Sequence, residues 1–442
     1  MKTYLLCSLS FLLMRSQLAL AQIRVENPQR TAERSVEGRV NSRVDQGVNR
    51  GLDKVEEGIG NIFKKKPKKE KPAATGTEEA AESGEPVDTE ARPATEAVGR
   101  ANGPVSLKSY SKFDFVPGEK VIVMEDFSQD AVGDFPAKWN TNASGEVITI
   151  EGTADKWLNL TNSGSFYPEF LKELPENFTI EMDLAITGET GPSNEKLGIS
   201  FVPSQKNLLD PERASSVFVG LNPTGTGSSN YACLDADGNE KSANSISGIA
   251  QWSMDVSRKA RLSIWRQKTR LRVYLNEKKL WDIPRAFEPS VRYVFLLESL
   301  IYNPGAMGYA LANLRVAVGA PDTRSKLITE GKLVTRGILF DVNSDRIKPE
   351  SYGTLKEIAS VLADNAAVRV RIIGHTDSDG DEASNLALSK KRAAAVKTAL
   401  SAEFGIDAAR METDGRGEAQ PSEPNTTAQG KANNRRVEFV KL

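Results

Sequence analysis

The pattern of apolar and polar positions changes period several times along the chain, and each change marks a different element. Val368, Val370 and Ile372 alternate with Arg369 and Arg371, the period of a strand with one buried face, and Ile373 carries the run into Gly374-His375-Thr376-Asp377. A polar loop rich in Asp and Gly follows. Ser389 then stands where a helix N-cap is expected, and Ala393, Val396, Ala399 and Leu400 recur at helical spacing, which puts Arg392 in the first helical turn. Upstream, Ile338-Leu339-Phe340 offers a strand. Leu355, Ile358 and Leu362, at spacings of three and four, predict a helix from a Ser351 cap to Ala363. Residues 436–440 alternate as a closing strand. The elements together predict an α/β domain over residues 330–442, joined by the segment 322–331 to what precedes it.

Residues 105–320 read differently. Short alternating runs recur, among them Val121-Ile122-Val123-Met124, Phe178 to Ile186, Leu262-Ser263-Ile264-Trp265 and Leu271-Arg272-Val273-Tyr274-Leu275, the last two separated by polar residues suited to a hairpin turn. Turn formers such as Asp237-Gly238 and the stretch Asn222 to Asn230 lie between runs. Many short strands with one polar face predict an all-β domain of two packed sheets, a jelly roll or similar sandwich. A transmembrane barrel needs lipid-facing strands of about ten residues and two aromatic belts. The runs here are shorter and irregular.

Further upstream, residues 28–63 place Val36, Val40, Val44, Val48 and Leu52 at every fourth position, then Val55, Ile59 and Ile62, an apolar stripe that drifts slowly round an amphipathic helix. Gly38, Gly47, Gly51, Gly58 and Gly60 lower its helicity by up to about 1 kcal/mol each relative to Ala, so it needs a partner. With Lys64-Lys65-Lys66 at its end, the stripe fits self-association or a membrane surface; it fits equally a helix that docks on its own chain or frays. Residues 64–104, rich in Lys, Pro, Ala, Glu and Thr, cannot bury a core and form a disordered charged linker spanning about 35–40 Å as a coil. Residues 1–21, with Lys2, an apolar run from Tyr4 to Met14 and Ala19-Leu20-Ala21, read as a secretory signal peptide cleaved after Ala21. That run is well short of the roughly 20 residues that cross a bilayer. Cys7 lies within the signal, so Cys233 would be left alone with no internal disulfide.

The 442 residues carry 58 Lys+Arg against 59 Asp+Glu, and such neutrality gives no electrostatic footprint for nucleic acid. With His375 the only histidine, neither a zinc site nor a Ser-His or Cys-His nucleophile can be assembled in the usual way. The acidic loop from Asp377 to Glu382 has its glycine ahead of the third acid and Leu388 at the twelfth position, against the calcium-loop pattern. Glu181-Met182-Asp183 is followed by Leu184, Ala185, Ile186 and Thr187, which leaves out the further carboxylate that a glycosidase strand needs. No metal, cofactor or catalytic residue is expected.

The chemistry concentrates at the 377–392 junction. Asp377 closes the strand, and helical side chains lean toward the N-terminus, so the Arg392 guanidinium is expected at the same mouth. A fixed acceptor beside a planar bidentate donor suits a zwitterion, with its ammonium on Asp377 and its carboxylate on Arg392. The same spacing fits an internal Asp–Arg salt bridge. Arg435 and Arg436 add positive charge nearby, where they orient the pocket or pair with acids.

These residues carry a resemblance. Gly374-His375-Thr376-Asp377, Asn385, Leu388-Ser389 and Arg392-Ala393, flanked by Phe340-Asp341-Val342-Asn343, Gly415-Arg416-Gly417-Glu418 and Asn434-Arg435-Arg436-Val437-Glu438-Phe439, resemble the OmpA-like C-terminal domain, which binds peptidoglycan. The resemblance implies that Asp377 and Arg392 hold the zwitterionic end of diaminopimelate in a peptidoglycan stem peptide, with Asn343, Thr376, Asn385 and Arg436 lining the pocket. The 270–276 run is similar to concanavalin A-like lectin and glucanase sandwiches, which implies a glycan partner met through exposed aromatics such as Trp139, Trp157 or Tyr167; core packing is the other use of those rings. The expectation is an exported, non-enzymatic cell-envelope protein of a diderm bacterium, periplasmic or outer-membrane associated, whose sandwich and N-terminal helix face another partner or the outer membrane. The alternative is a glycan-binding or adhesive protein that uses its OmpA-like domain only as an anchor.

Overall fold

The computed structural model describes residues 113–442, apart from 189–194, 225–226, 250–251, 254–256, 302–306 and 320–321. The expected signal peptide, the 28–63 helix and the 64–104 linker lie outside the described residues.

The first part is built of β1 (Lys120–Glu125), β2 (Trp139–Thr141), β3 (Gly145–Thr149), β4 (Lys156–Leu160), β5 (Gly164–Pro168), β6 (Asn177–Gly188), β7 (Lys196–Pro203), β8 (Val217–Leu221), β9 (Ser228–Leu234), β10 (Glu240–Ser247), β11 (Lys259–Gln267), β12 (Arg270–Leu275), β13 (Lys278–Ile283), β14 (Tyr293–Leu300) and β15 (Met307–Val318). They pair into two sheets. One runs β13-β12-β11-β6-β15-β4-β3, with β1 also on β15, and the other runs β10-β9-β8-β7-β14-β5-β2. Strand β6 shows why. Phe178, Ile180, Met182, Leu184 and Ile186 point inward and share one core with Ile199 and Phe201 of β7 and Phe295 and Leu297 of β14. Burying each such side chain contributes about 1.5–3 kcal/mol. The expected hairpin is present: β11 pairs with β12 from Leu262↔Leu275 to Gln267↔Arg270, and Lys268 in its turn has φ 54.

The alternate residues of β6, Thr179, Glu181 and Asp183, face away from this core. Glu181 is 2% exposed. It pairs with Arg315 of β15 and Arg261 of β11, while Asp183 takes Arg261 (2.8 Å) and Asn313 (2.8 Å). Burial raises the Glu181 pKa, but the two guanidiniums overcome it and hold the carboxyl below its ordinary value. The Glu-x-Asp pair is thus a structural ion ladder across three neighbouring strands.

The second part holds β16 (Lys332–Thr335), α1 (Tyr352–Asp364), β17 (Val370–His375), α2 (Glu382–Phe404), β18 (Met411–Gly417), α3 (Ala428–Asn434) and β19 (Val437–Lys441), with sheet order β16-β19-β17-β18. Strands β17 and β18 are parallel and joined through α2, whereas β19 lies antiparallel to β17 and β16. Leu355, Ile358 and Leu362 of α1 and Ala393, Val396 and Leu400 of α2 close over Val370, Ile372, Val437 and Phe439.

Three local expectations are corrected. Helix α2 begins at Glu382, capped by Asp381, whose extended backbone lets its carboxylate accept from Ser384 N; Ser389 is not the cap. Arg392 is accordingly about three turns into the helix rather than in its first turn. Residues 338–340 make only an isolated bridge, Phe340↔Ile347, and β16 takes the edge of the sheet instead. Ser351 does stand just ahead of α1, but its hydroxyl bonds Leu339 N (2.8 Å) and O (3.2 Å) rather than the helix.

The two parts belong to one compact unit. The register of β1 against β15 slips between Val121 and Val123. There Asn433 of α3 satisfies both backbone groups of Val121, its Oδ1 accepting from the N–H (3.1 Å) and its Nδ2 donating to the C=O (2.9 Å). Val121, Ala317 and Ala432 pack beneath this clasp, and Lys326–Glu119 (2.6 Å) and Lys120–Glu423 (3.2 Å) flank it. On α1, Gly353 lies so close to the Phe115 backbone that any Cβ would collide with its carbonyl.

Candidate functional site

Strand β17 ends at a pocket of about 100 Å³ lined by Leu339, Phe340, His375, Arg392, Arg435 and Arg436 among others. The backbone sets this geometry before any side chain does. A Cβ on Gly374 would run into the Ser389 carbonyl, so glycine there lets α2 press directly on the strand end. Gly417 on β18, at φ +52, donates its N–H to the Ser389 hydroxyl (2.9 Å) and accepts the Thr376 N–H at its C=O (2.9 Å). Ser389 therefore fastens helix, strand and loop together from inside α2.

Arg392 reaches the pocket from this helix. Its Nε donates to the Ser344 carbonyl (3.0 Å), its Nη2 to that of Asp341 (3.4 Å), and its guanidinium stacks over the Phe340 ring at 5.0 Å. No carboxylate lies within ion-pair distance of it among the described residues. Burial lowers its pKa, the Asp377 charge opposes that shift and Arg435 adds to it. Asp377 itself is not among the residues that line this pocket, whereas Arg392 and its neighbour Arg435 are.

Asp377 is 8% exposed. It pairs with Arg435, not Arg392, through Oδ2, and its Oδ1 accepts from Asp379 N (3.3 Å). The Arg435 side chain is 45% exposed, which leaves this pair open to solvent on one side. Arg435 is the group that spacing alone could not assign, since Arg435 and Arg436 are adjacent with opposite fates. Arg436 is buried and bound to Glu438 (2.9 Å) and to the Gln420 carbonyl (3.0 Å).

The remaining candidates fall in three kinds of place. Asn385 is buried in α2 and its amide donates to the carbonyls of Asp377 (3.3 Å) and Asp379 (3.1 Å) and to Glu418, so it ties the loop down from behind. Thr376 is buried, and its Oγ1 has no hydrogen-bond partner among the described residues. Asn343 is exposed at the tip of the loop that carries the Ser344 and Asp341 carbonyls, in the left-handed region at φ 52, a conformation Asn adopts readily. His375 is 3% exposed, with Nε2 3.5 Å from Glu438 Oε1. Burial pushes the Glu438 carboxyl up, but contact with His375 and Lys332 and the Arg436 charge hold it well below its ordinary value.

In the two β-sheets of the first part, the expected sugar platform is absent at two of its three rings. Trp139 and Trp157 are 4% and 2% exposed, packed against Phe127 and Phe170 in the first case and beside Ala185 and Ala310 in the second. Tyr167 is half-buried and its hydroxyl accepts from Asn140 (3.2 Å).

Comparison with known proteins bears on the second part. Residues 339–435 match the OmpA family. Over 103 residues, 23% of this chain, the sequence is 45% identical to the probable lipoprotein YiaD of Escherichia coli (strain K12), covering 47% of that protein. Over 111 residues, 25% of this chain, it is 37% identical to outer membrane porin F of Pseudomonas aeruginosa, covering 32% of it. The match thus spans about half or less of these relatives' lengths. Among solved structures, the peptidoglycan-associated lipoprotein from Burkholderia pseudomallei aligns with 31% identity and a TM-score of 0.23, over 24% of this chain and 88% of that one.

Proposed function

We propose, from the premise that residues 339–435 are an OmpA-family domain, that this is a non-enzymatic cell-envelope protein that grips peptidoglycan noncovalently and anchors the outer membrane or a periplasmic assembly to the wall. The observation that carries this reading is the state of Arg392. It is aimed by two carbonyls and a ring, faces a pocket, and has no carboxylate in contact among the described residues, so an incoming carboxylate completes it. Asp377 supplies the complementary acceptor for the ligand's ammonium. Asp377 is buried and already paired with Arg435, whose own side chain is half-exposed, so the ligand's ammonium has to displace that guanidinium or share the carboxylate with it. Thr376 Oγ1 offers a further polar contact, while Asn385 and Arg436 hold the walls and Asn343 sits at the rim.

We read the two sheets as a jelly-roll-like, concanavalin A-like sandwich that faces another envelope partner. The relatives named above are a lipoprotein and a porin, which favours attachment at the outer membrane. A sacculus pull-down tests the central claim. Asp377→Ala and Arg392→Ala each strand a partly buried opposite charge in the complex, and each should cost about 2–5 kcal/mol of binding. Retention equal to that of the unaltered protein in both variants would sink the assigned pocket.

A further inference from the structure

Leu339, Phe340 and Arg435 also line a second cavity of about 280 Å³, whose opposite wall is the outward face of the first sheet, with Asp183, Arg261 and Arg315. Arg336 and Lys348 enter it from the second domain, and Glu350 is the other acid on its lining. The cations there are not equivalent. Arg261 and Arg315 are committed to Glu181 and Asp183, and Arg435 to Asp377. Arg336 and Lys348 have no carboxylate within ion-pair distance among the described residues. Arg336 donates only to backbone carbonyls, those of Asn433 (3.1 Å) and Glu119.

A partly buried guanidinium in such company is uncomfortable. Burial, then the like charges of Arg436 and Arg315, lower Arg336 to about 10, with Glu423 and Glu438 offsetting only part of this. A charge held at that cost in an open cavity, beside an uncommitted lysine, is a site arranged for an anion from outside. The wall it shares with the Arg392 pocket, Leu339, Phe340 and Arg435, points to which anion. A stem peptide carries further carboxylates next to its diamino acid, and a peptide seated at Arg392 would have Phe340 and Arg435 as the border to the second cavity.

We propose that the cleft between the two domains is a carboxylate subsite of the peptidoglycan site, in which Arg336 and Lys348 bind a second acidic group of the same stem peptide. The sandwich then shapes ligand choice as the far wall of a composite site. This rests on the wall-binding reading of the first pocket.

Calorimetric titration of the full chain separates the two. The ligands are free meso-diaminopimelate, which reaches only the first pocket, and the tripeptide L-alanyl-γ-D-glutamyl-meso-diaminopimelate. The unaltered protein should bind the tripeptide more tightly. Lys348→Gln should weaken the tripeptide about tenfold, ~1.4 kcal/mol, and leave diaminopimelate unchanged, with Lys348→Arg restoring the difference. Arg336→Gln, checked for an unchanged melting temperature, should do the same. Tripeptide binding that is unaffected in both glutamine variants, or equal weakening of both ligands, would overturn the subsite while leaving the first pocket standing. Binding of neither ligand by the unaltered protein would overturn both.

Discussion

At the scale of single residues, the site is governed by what each charge already touches. Phe340 supports Arg392 from below without neutralising it, so Phe340→Ala should weaken sacculus binding by about 0.5–2 kcal/mol while keeping both charges. Equal retention of that variant would show that the ring plays no part. Glu438 behaves as the opposite case, a carboxylate fully engaged by its own protein. Its folded pKa lies below the ordinary 4.5, so the stability it contributes is complete above about pH 4.5 and is lost as pH falls toward the depressed folded value. Thermal melts of the unaltered protein and Glu438→Gln should therefore differ most at neutral pH and converge in acid. Asp377 and Arg392 were legible from the sequence because a motif fixes both; Arg435 was not, because its selection over Arg436 depends on which of two neighbouring side chains turns outward after Asn434.

Elements show a similar division. Period-two runs located β1, β6, β11 and β12 well, since each has one face in the core. The cap of α2 lies eight residues before Ser389 because the Asp-rich loop offers several caps, and only the extended backbone at Asp381 selects one. Ser389, displaced from the cap, acquires a larger duty. Replacing it with alanine leaves the buried Gly417 N–H without an acceptor, and Ser389→Ala should destabilise the domain by about 1–3 kcal/mol in urea unfolding. Loss of hydrogen-exchange protection at Gly417 would locate the damage. The strand expected at Ile338–Phe340 reduces to a bridge because the same segment bends to carry the loop that holds Arg392.

For the molecule as a whole, pattern and composition say nothing of how the β part docks on residues 330–442. Asn433 and Val121 are 312 positions apart, and nothing local marks an asparagine that will serve as the missing strand partner of a bulged backbone. Asn433→Ala exposes two unsatisfied backbone groups at the junction. It should cost about 1–3 kcal/mol and speed hydrogen exchange at Val121, with the core between the two β-sheets unaffected. Unchanged exchange there would mean that the Ala432 packing, the Arg336 bonds to Glu119 and Asn433 and the flanking ion pairs hold the two parts together without the Asn433 amide.

That clasp also determines how the protein bears load. If the second domain is fixed to the wall while the sandwich is drawn toward another structure, tension meets the Asn433 amide, the Ala432 contact and two lysine pairs before it stretches the covalent connection. Hydrogen bonds, one small apolar contact and ion pairs can part and re-form, so under such tension the chain would act as a coupling that lengthens rather than as a rigid rivet.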